Sequence, residues 1–125
     1  MARILIVDDD PSFGQIMKRK LERAGFEVTM RDGPFGTIGE LKRGGYDALL
    51  LDVLMPALDG GTLVQLIRGT ESIRAVRVLL CSSMDALELK GLAEKLHVEG
   101  YIPKSTPLDE MVATVRAVLN QPAAS

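Results

Sequence analysis

One cysteine, Cys81, stands among 125 residues. It cannot form an internal disulfide framework, and a lone thiol at the end of an apolar run reads as a small buried residue rather than a redox centre. There is also one histidine, His97, which reads as a surface or loop residue. No apolar run approaches the roughly 18–20 residues that cross a bilayer. The apolar start of the chain meets Asp8 too soon to be a signal peptide. The expectation is a cytoplasmic protein with no membrane contact. Charge of one sign is not in excess: fifteen Lys and Arg face seventeen Asp and Glu, a net charge of −2. That leaves no electrostatic footprint for direct binding of DNA or RNA. Internal repeats and low-complexity segments are absent. So is a glycine-rich loop after the first apolar run, where Asp8-Asp9-Asp10-Pro11 stands instead, and this argues against a dinucleotide-binding fold.

What is present is an ordinary globular composition, 46% hydrophobic and 26% charged, which excludes bulk disorder. The length fits one domain. We take it as residues 1–120, with 121–125 as a tail or the start of a linker. Short apolar runs alternate with helical periodicity. The runs are Ile4–Val7, Phe26–Met30, Ala48–Leu51, Val76–Cys81 and Tyr101–Ile102. Between the first two, Phe13, Ile16, Met17, Leu21 and Ala24 mark one helix face, with Asp10-Pro11 as its start and Gly25 as its stop. A weaker, glycine-interrupted helix places Phe35, Ile38 and Leu41 together and ends at Gly44-Gly45. A third, opened by Gly60 and Gly61, turns Leu63, Leu66 and Ile67 inward. A fourth aligns Leu89, Leu92, Ala93 and Leu96. The last aligns Leu108, Met111, Val112, Val115, Val118 and Leu119. Strands alternating with helices imply an α/β fold, a five-stranded doubly wound parallel sheet with helices on both faces.

Four of the runs end in polar residues: Asp8-Asp9-Asp10, Asp52, Ser82-Ser83 and Lys104. Parallel strands point one way, so these side chains converge on the carboxyl edge, where open α/β sheets bind ligands. Carboxylates packed together repel, and at least one would have its pKa raised without a counter-charge. A divalent cation resolves the conflict. An all-oxygen donor set with waters and a phosphate suits Mg²⁺ better than Ca²⁺. With Lys104 and a hydroxyl the site has the parts to bind a phosphoryl group, and an aspartate facing that group can act as its nucleophile.

These residues resemble the receiver domain of two-component response regulators over nearly the whole chain. The resemblance rests on Val7-Asp8-Asp9, on Asp52 with Met55-Pro56 and Asp59-Gly60, on Ser82, and on Gly100-Tyr101 with Lys104. Their order and separations carry it: 43 residues from Asp9 to Asp52, 30 to Ser82 and 22 to Lys104. It implies a flavodoxin-like strand order of 2-1-3-4-5 with five helices. It also implies that Asp52 is the phosphoacceptor and that Mg²⁺ is held by Asp8, Asp9, Asp52 and the backbone carbonyl of Leu54. Ser82 and Lys104 would bind phosphoryl oxygens, and Ser82 and Tyr101 would form the switch. The phosphoryl donor would be a histidine kinase, a histidine phosphotransfer protein or a small phosphodonor. The output would pass to a downstream partner or output domain through the face of the fourth helix, fifth strand and fifth helix, where two copies can also pair. The domain would be no enzyme beyond catalysing its own phosphorylation and dephosphorylation.

The chain departs from the family pattern in places. Ser105 follows Lys104 where proline is usual with a cis bond, so this bond is either trans with a re-routed loop or a strained cis one. His97-Val98 replaces Gly-Ala before the fifth strand. Leu54 sets an apolar side chain near the phosphoryl site, which predicts slow hydrolysis and a long-lived phosphoryl form. Asp10 reads as a helix cap, and Ser83 as a cap of the next helix. A competing assignment takes Asp8-x-Asp10 as resembling the nucleophile and general acid of a haloacid-dehalogenase-type phosphatase, which leaves Asp52 without a role.

Overall fold

Runs that are apolar at every position need cover on both faces, because alternate side chains of a strand point opposite ways. The computed structural model, which describes residues 1–56 and 58–121, shows how that cover is supplied. The order is β1 (Arg3–Val7), α1 (Pro11–Arg23), β2 (Glu27–Arg31), α2 (Thr37–Gly44) and β3 (Ala48–Asp52). It continues with α3 (Gly60–Arg68), β4 (Arg77–Ser82), α4 (Ala86–Leu96), β5 (Gly100–Pro103) and α5 (Leu108–Leu119). All neighbouring strands pair in parallel, in the order β2-β1-β3-β4-β5. Residues 122–125 of the expected tail lie outside the described residues.

The sheet divides the core in two. Leu5, Val7, Leu49, Leu51, Val78 and Leu80 face one side and pack with Leu41, Leu63, Ile67, Leu89 and Ala93 from α2, α3 and α4. Ile4, Ile6, Ala48, Leu50, Leu79, Cys81 and Ile102 face the other and pack with Met17, Leu21, Met111, Val115 and Val118 from α1 and α5. Cys81 is buried, as its context suggested, and burial pushes its thiol pKa up to about 12.

The helix limits follow capping chemistry. Asp10 accepts from the Ser12 and Phe13 N–H groups at the start of α1, which has Pro11 in its first turn, and Asp59 accepts from Thr62 N–H at the start of α3. These carboxylates satisfy N–H groups that have no partner inside the helix. The α4 cap is Asp85, which accepts from the Leu87 and Glu88 N–H groups, not Ser83. His97 is exposed and closes α4 in the left-handed region at φ 56°.

Four apolar residues assigned to inward faces are exposed: Ile16, Phe35, Leu66 and Leu108. Ile16 and Leu66 sit one residue before the buried Met17 and Ile67, a rotation of roughly 100° off the buried stripe. Phe35 precedes α2 altogether, and Leu108 is the first residue of α5, where the inward row begins at Met111.

The amino edge of the sheet is closed by side chains. Asp47 accepts from Arg3 N–H at 2.8 Å, its own N–H donates to Arg3 O, and its carbonyl accepts from Arg77 N–H. Arg68 donates to the carbonyls of Arg74 and Val76 and to both carboxylate oxygens of Glu99, each at 2.8 Å for Glu99. Glu99 in turn accepts from Val78 N–H. At the carboxyl edge the side chains that gather are those of a charged cluster, Lys104 with Asp8 and Asp52.

Candidate functional site

Each strand ends where its apolar run ends, and this places the polar residues. Asp8 follows the last residue of β1. Asp52 ends β3, Ser82 ends β4, and Lys104 follows β5. The β3–β4 register sets Asp52 beside Cys81, and the β4–β5 register sets Ser82 beside Pro103. Lys104 is then tied to Ser82 by its own N–H, which donates to the Ser82 carbonyl at 2.8 Å.

The Lys104 ammonium lies 2.8 Å from Asp8 Oδ2 and 3.5 Å from Asp52 Oδ2. Both carboxylates are buried, Asp8 at 1% and Asp52 at 4% exposure, while Asp9 beside them is open to solvent. Carboxylate oxygens of Asp8, Asp9 and Asp52 lie within 4.8 Å of one another. The other oxygens are used locally. Asp8 Oδ1 accepts from Asp10 N–H at 2.8 Å, and Asp52 Oδ1 accepts from Leu54 N–H at 2.9 Å.

Burial pushes the Asp8 carboxyl above the usual carboxylate range. The Lys104 and Asp10 hydrogen bonds oppose that rise without cancelling it, and the charge of Asp52 adds to it. Burial also disfavours the Lys104 ammonium, but the hydrogen bond and charge of Asp8, with the charge of Asp52, outweigh it and hold Lys104 above its ordinary value. One ammonium thus pairs with two buried carboxylates, and the exposed Asp9 adds a third to the group, an under-compensated cluster. Three carboxylates with no His or Cys form a hard, all-oxygen donor set.

Ser82 is fully buried, and its Oγ accepts from Met84 N–H at 3.1 Å. Tyr101 is half-buried against the core face made with α3 and α4. Leu54 exposes half its surface next to Asp52. The Lys104–Ser105 bond is trans, as are all the peptide bonds described, so of the two expected geometries the strained cis bond is absent. The contacts of two residues at the site were not read from the sequence. Phe13, assigned only to a helix face, sets its ring 4.6 Å from the Lys104 ammonium. Met84 latches the Ser82 hydroxyl. The signal for Phe13 was its place in the first turn of a helix capped directly after the aspartates.

The phosphatase alternative fails on Asp10. That side chain is spent on the α1 N–H groups at an exposed helix start, while Asp52 lies in the cluster with Asp8, Asp9 and Lys104.

The comparisons agree with this geometry. The family model described as the response regulator receiver domain matches residues 4–116. The DNA-binding dual master transcriptional regulator RpaA of Synechocystis is 32% identical over 97% of this chain and 50% of its own length. Response regulator MprA of Mycobacterium tuberculosis is 32% identical over 95% of this chain and 51% of its own. The chain thus spans about half the length of the curated relatives it matches. Among solved structures, the BeF3-activated N-terminal receiver domain of Klebsiella pneumoniae RstA superposes with a TM-score of 0.84 at 28% identity, covering 95% of this chain and 99% of that one. Vibrio cholerae CheY4, at 24% identity and a TM-score of 0.84 over 94% of this chain and 98% of its own, shares the fold. With its parallel five-stranded sheet and its acidic cluster around one lysine, this chain belongs to the response regulator receiver domain family, the phosphoacceptor module of two-component signal transduction.

Proposed function

We propose that Asp52 accepts the phosphoryl group, from a histidine kinase, a histidine phosphotransfer protein or a small phosphodonor. The observation that carries this reading is the convergence of Asp52, Asp8 and Lys104 within ion-pair distance. A carboxylate oxygen of Asp52 forms the new bond to phosphorus as the bond to the donor's leaving atom breaks, and the leaving group keeps the electron pair. Lys104 neutralises one phosphoryl oxygen, and the Ser82 hydroxyl, whose oxygen already accepts from Met84 N–H, donates a hydrogen bond to another. Asp8, Asp9, Asp52 and the Leu54 carbonyl would hold Mg²⁺, which supplies charge neutralisation for the transferring group. The domain catalyses this transfer on itself and turns over no separate substrate.

Phosphorylation then draws Ser82 inward and Tyr101 with it. This repacks the α4–β5–α5 face toward a downstream partner, an output domain or a second copy of the chain. Both conformations exist beforehand, and the added charge biases them. We assign the unit to residues 1–120 and place it in the cytoplasm. Among the described residues no helix is long and apolar enough to cross a membrane. We assign this chain no nucleic-acid contact of its own, and the DNA binding named for RpaA belongs to that longer protein. The test is incubation with acetyl phosphate and Mg²⁺, followed by intact mass. The wild type should gain one phosphoryl group and Asp52→Ala none. A gain that survives Asp52→Ala would refute the assignment.

A further inference from the structure

A lysine ammonium rides on a long, flexible stem, so its aim must come from its surroundings. The backbone end of Lys104 is pinned by its N–H to Ser82 O, and Thr106 N–H to Pro103 O turns the chain behind it. The bond that follows is an ordinary trans link to Ser105. The charged end is held by Asp8 and Asp52, and the oxygens of these two residues are the ones a divalent cation would also take. Phe13 is a further contact of the ammonium. Its ring centroid lies 4.6 Å from Nζ, inside the range where a ring face attracts a cation. The Asp10 cap, which accepts from Phe13 N–H, fixes the start of α1 and so sets this ring beside the aspartate loop. The ring is uncharged, and neither metal nor phosphate competes for its face.

We propose that Phe13 is a positioning residue for phosphoryl transfer. Its ring face keeps the Lys104 ammonium over the site when Asp8 and Asp52 are engaged by metal and phosphoryl group. The inference rests on the receiver reading with Asp52 as phosphoacceptor.

The test uses the full chain with acetyl phosphate at saturating Mg²⁺ and follows the initial rate of Asp52 phosphorylation by intact mass. Phe13→Leu, which keeps an apolar side chain but removes the ring, should slow the maximal rate about two- to fivefold, the strength of a partly exposed cation–π contact. Magnesium affinity by calorimetry should stay unchanged. Phe13→Trp should restore the rate. In a Lys104→Ala background the Phe13→Leu change should add no further loss, whereas a packing effect would multiply with it. In the metal-free protein, the Lys104 ε-methylene protons should sit upfield by ring current and relax in Phe13→Leu. An unchanged rate in Phe13→Leu, an undiminished loss in the Lys104→Ala background, or an ε-methylene shift indifferent to the ring would each overturn the proposal. A wild type that gains no phosphoryl mass would instead overturn the receiver reading, and this inference with it.

Discussion

Replacing Lys104 by methionine keeps most of the stem and deletes the charge. The ammonium lies 2.8 Å from Asp8 and 3.5 Å from Asp52, and both carboxylates are nearly fully buried. Removing one partner of a buried ion pair costs roughly 3–5 kcal/mol when the other charge is stranded. Two features reduce that here. The Lys104 side chain keeps 16% exposure, and Asp8 can take up a proton at about 1.4 kcal/mol per pH unit of displacement. The expected loss at pH 7.5 without metal is therefore about 2–3 kcal/mol, a shift of about 1–2 M in the urea midpoint. The sign of the pH dependence follows from Asp8. Its carboxyl is already raised by burial and rises further without the lysine. The folded state then holds a proton the unfolded chain has released, so stability falls as pH rises through that window. Lowering the pH to 5 should recover part of the loss. Mg²⁺ restores the missing positive charge and should stabilise Lys104→Met more than the wild type. Urea unfolding followed by far-ultraviolet circular dichroism, at both pH values with and without Mg²⁺, measures all three effects. A variant as stable as the wild type at pH 7.5, gaining no more from Mg²⁺, would refute the idea that Lys104 offsets buried carboxylate charge.

Leu54→Ala should open Asp52 to water and speed autodephosphorylation, followed as the decay of phosphoryl mass, and an unchanged half-life would remove the shielding role of this side chain. Cys81 should resist iodoacetamide in the native protein at pH 9, because burial holds its pKa near 12 while an unfolded thiol ionises near ~8.5. Below that lower value both states keep the proton, and above it only the fold does. Stability should therefore fall by up to about 1.4 kcal/mol per pH unit more steeply than in Cys81→Ala, and rapid stoichiometric alkylation of the native protein would contradict this. Glu99→Ala should cost about 2–3 kcal/mol in urea unfolding, since it strands the Arg68 guanidinium and orphans Val78 N–H, whereas Glu99→Gln should retain part of that stability.

The architecture was legible because β1, β3 and β4 are solid apolar runs cut off by a charged or hydroxyl residue, and that cut, with the one after the shorter run of β5, places Asp8, Asp52, Ser82 and Lys104. Composition and periodicity could say that these groups share an edge. They could not say which oxygen of Asp8 meets Lys104 and which meets Asp10 N–H, because that depends on the turn after β1. Helix faces were read too broadly. Periodicity admitted Ile16 and Leu66 beside true core residues, since neighbours on a helix differ by a rotation that only the packed partner resolves. Phe13 was noticed for its apolarity and not for its electron-rich face, whose partner lies far along the chain and next to it only in space. The trans bond at Lys104 was likewise beyond reach, because a sequence marks only where proline would have made the cis form cheap.

The closure of the amino edge bears on how the domain can respond. Asp47 laces β1 and β4 to the segment before β3, and the Arg68–Glu99 fork fastens the end of α3 to β4 and the approach to β5. The strands are riveted at one end like the ribs of a fan, so a charge placed at the opposite rim cannot slide them in register. The work it does falls on the turns after β3, β4 and β5. Deuterium uptake should be slow at Arg3, Arg77 and Val78 in every state, while the amides of Leu54, Met84 and Lys104 report the signal.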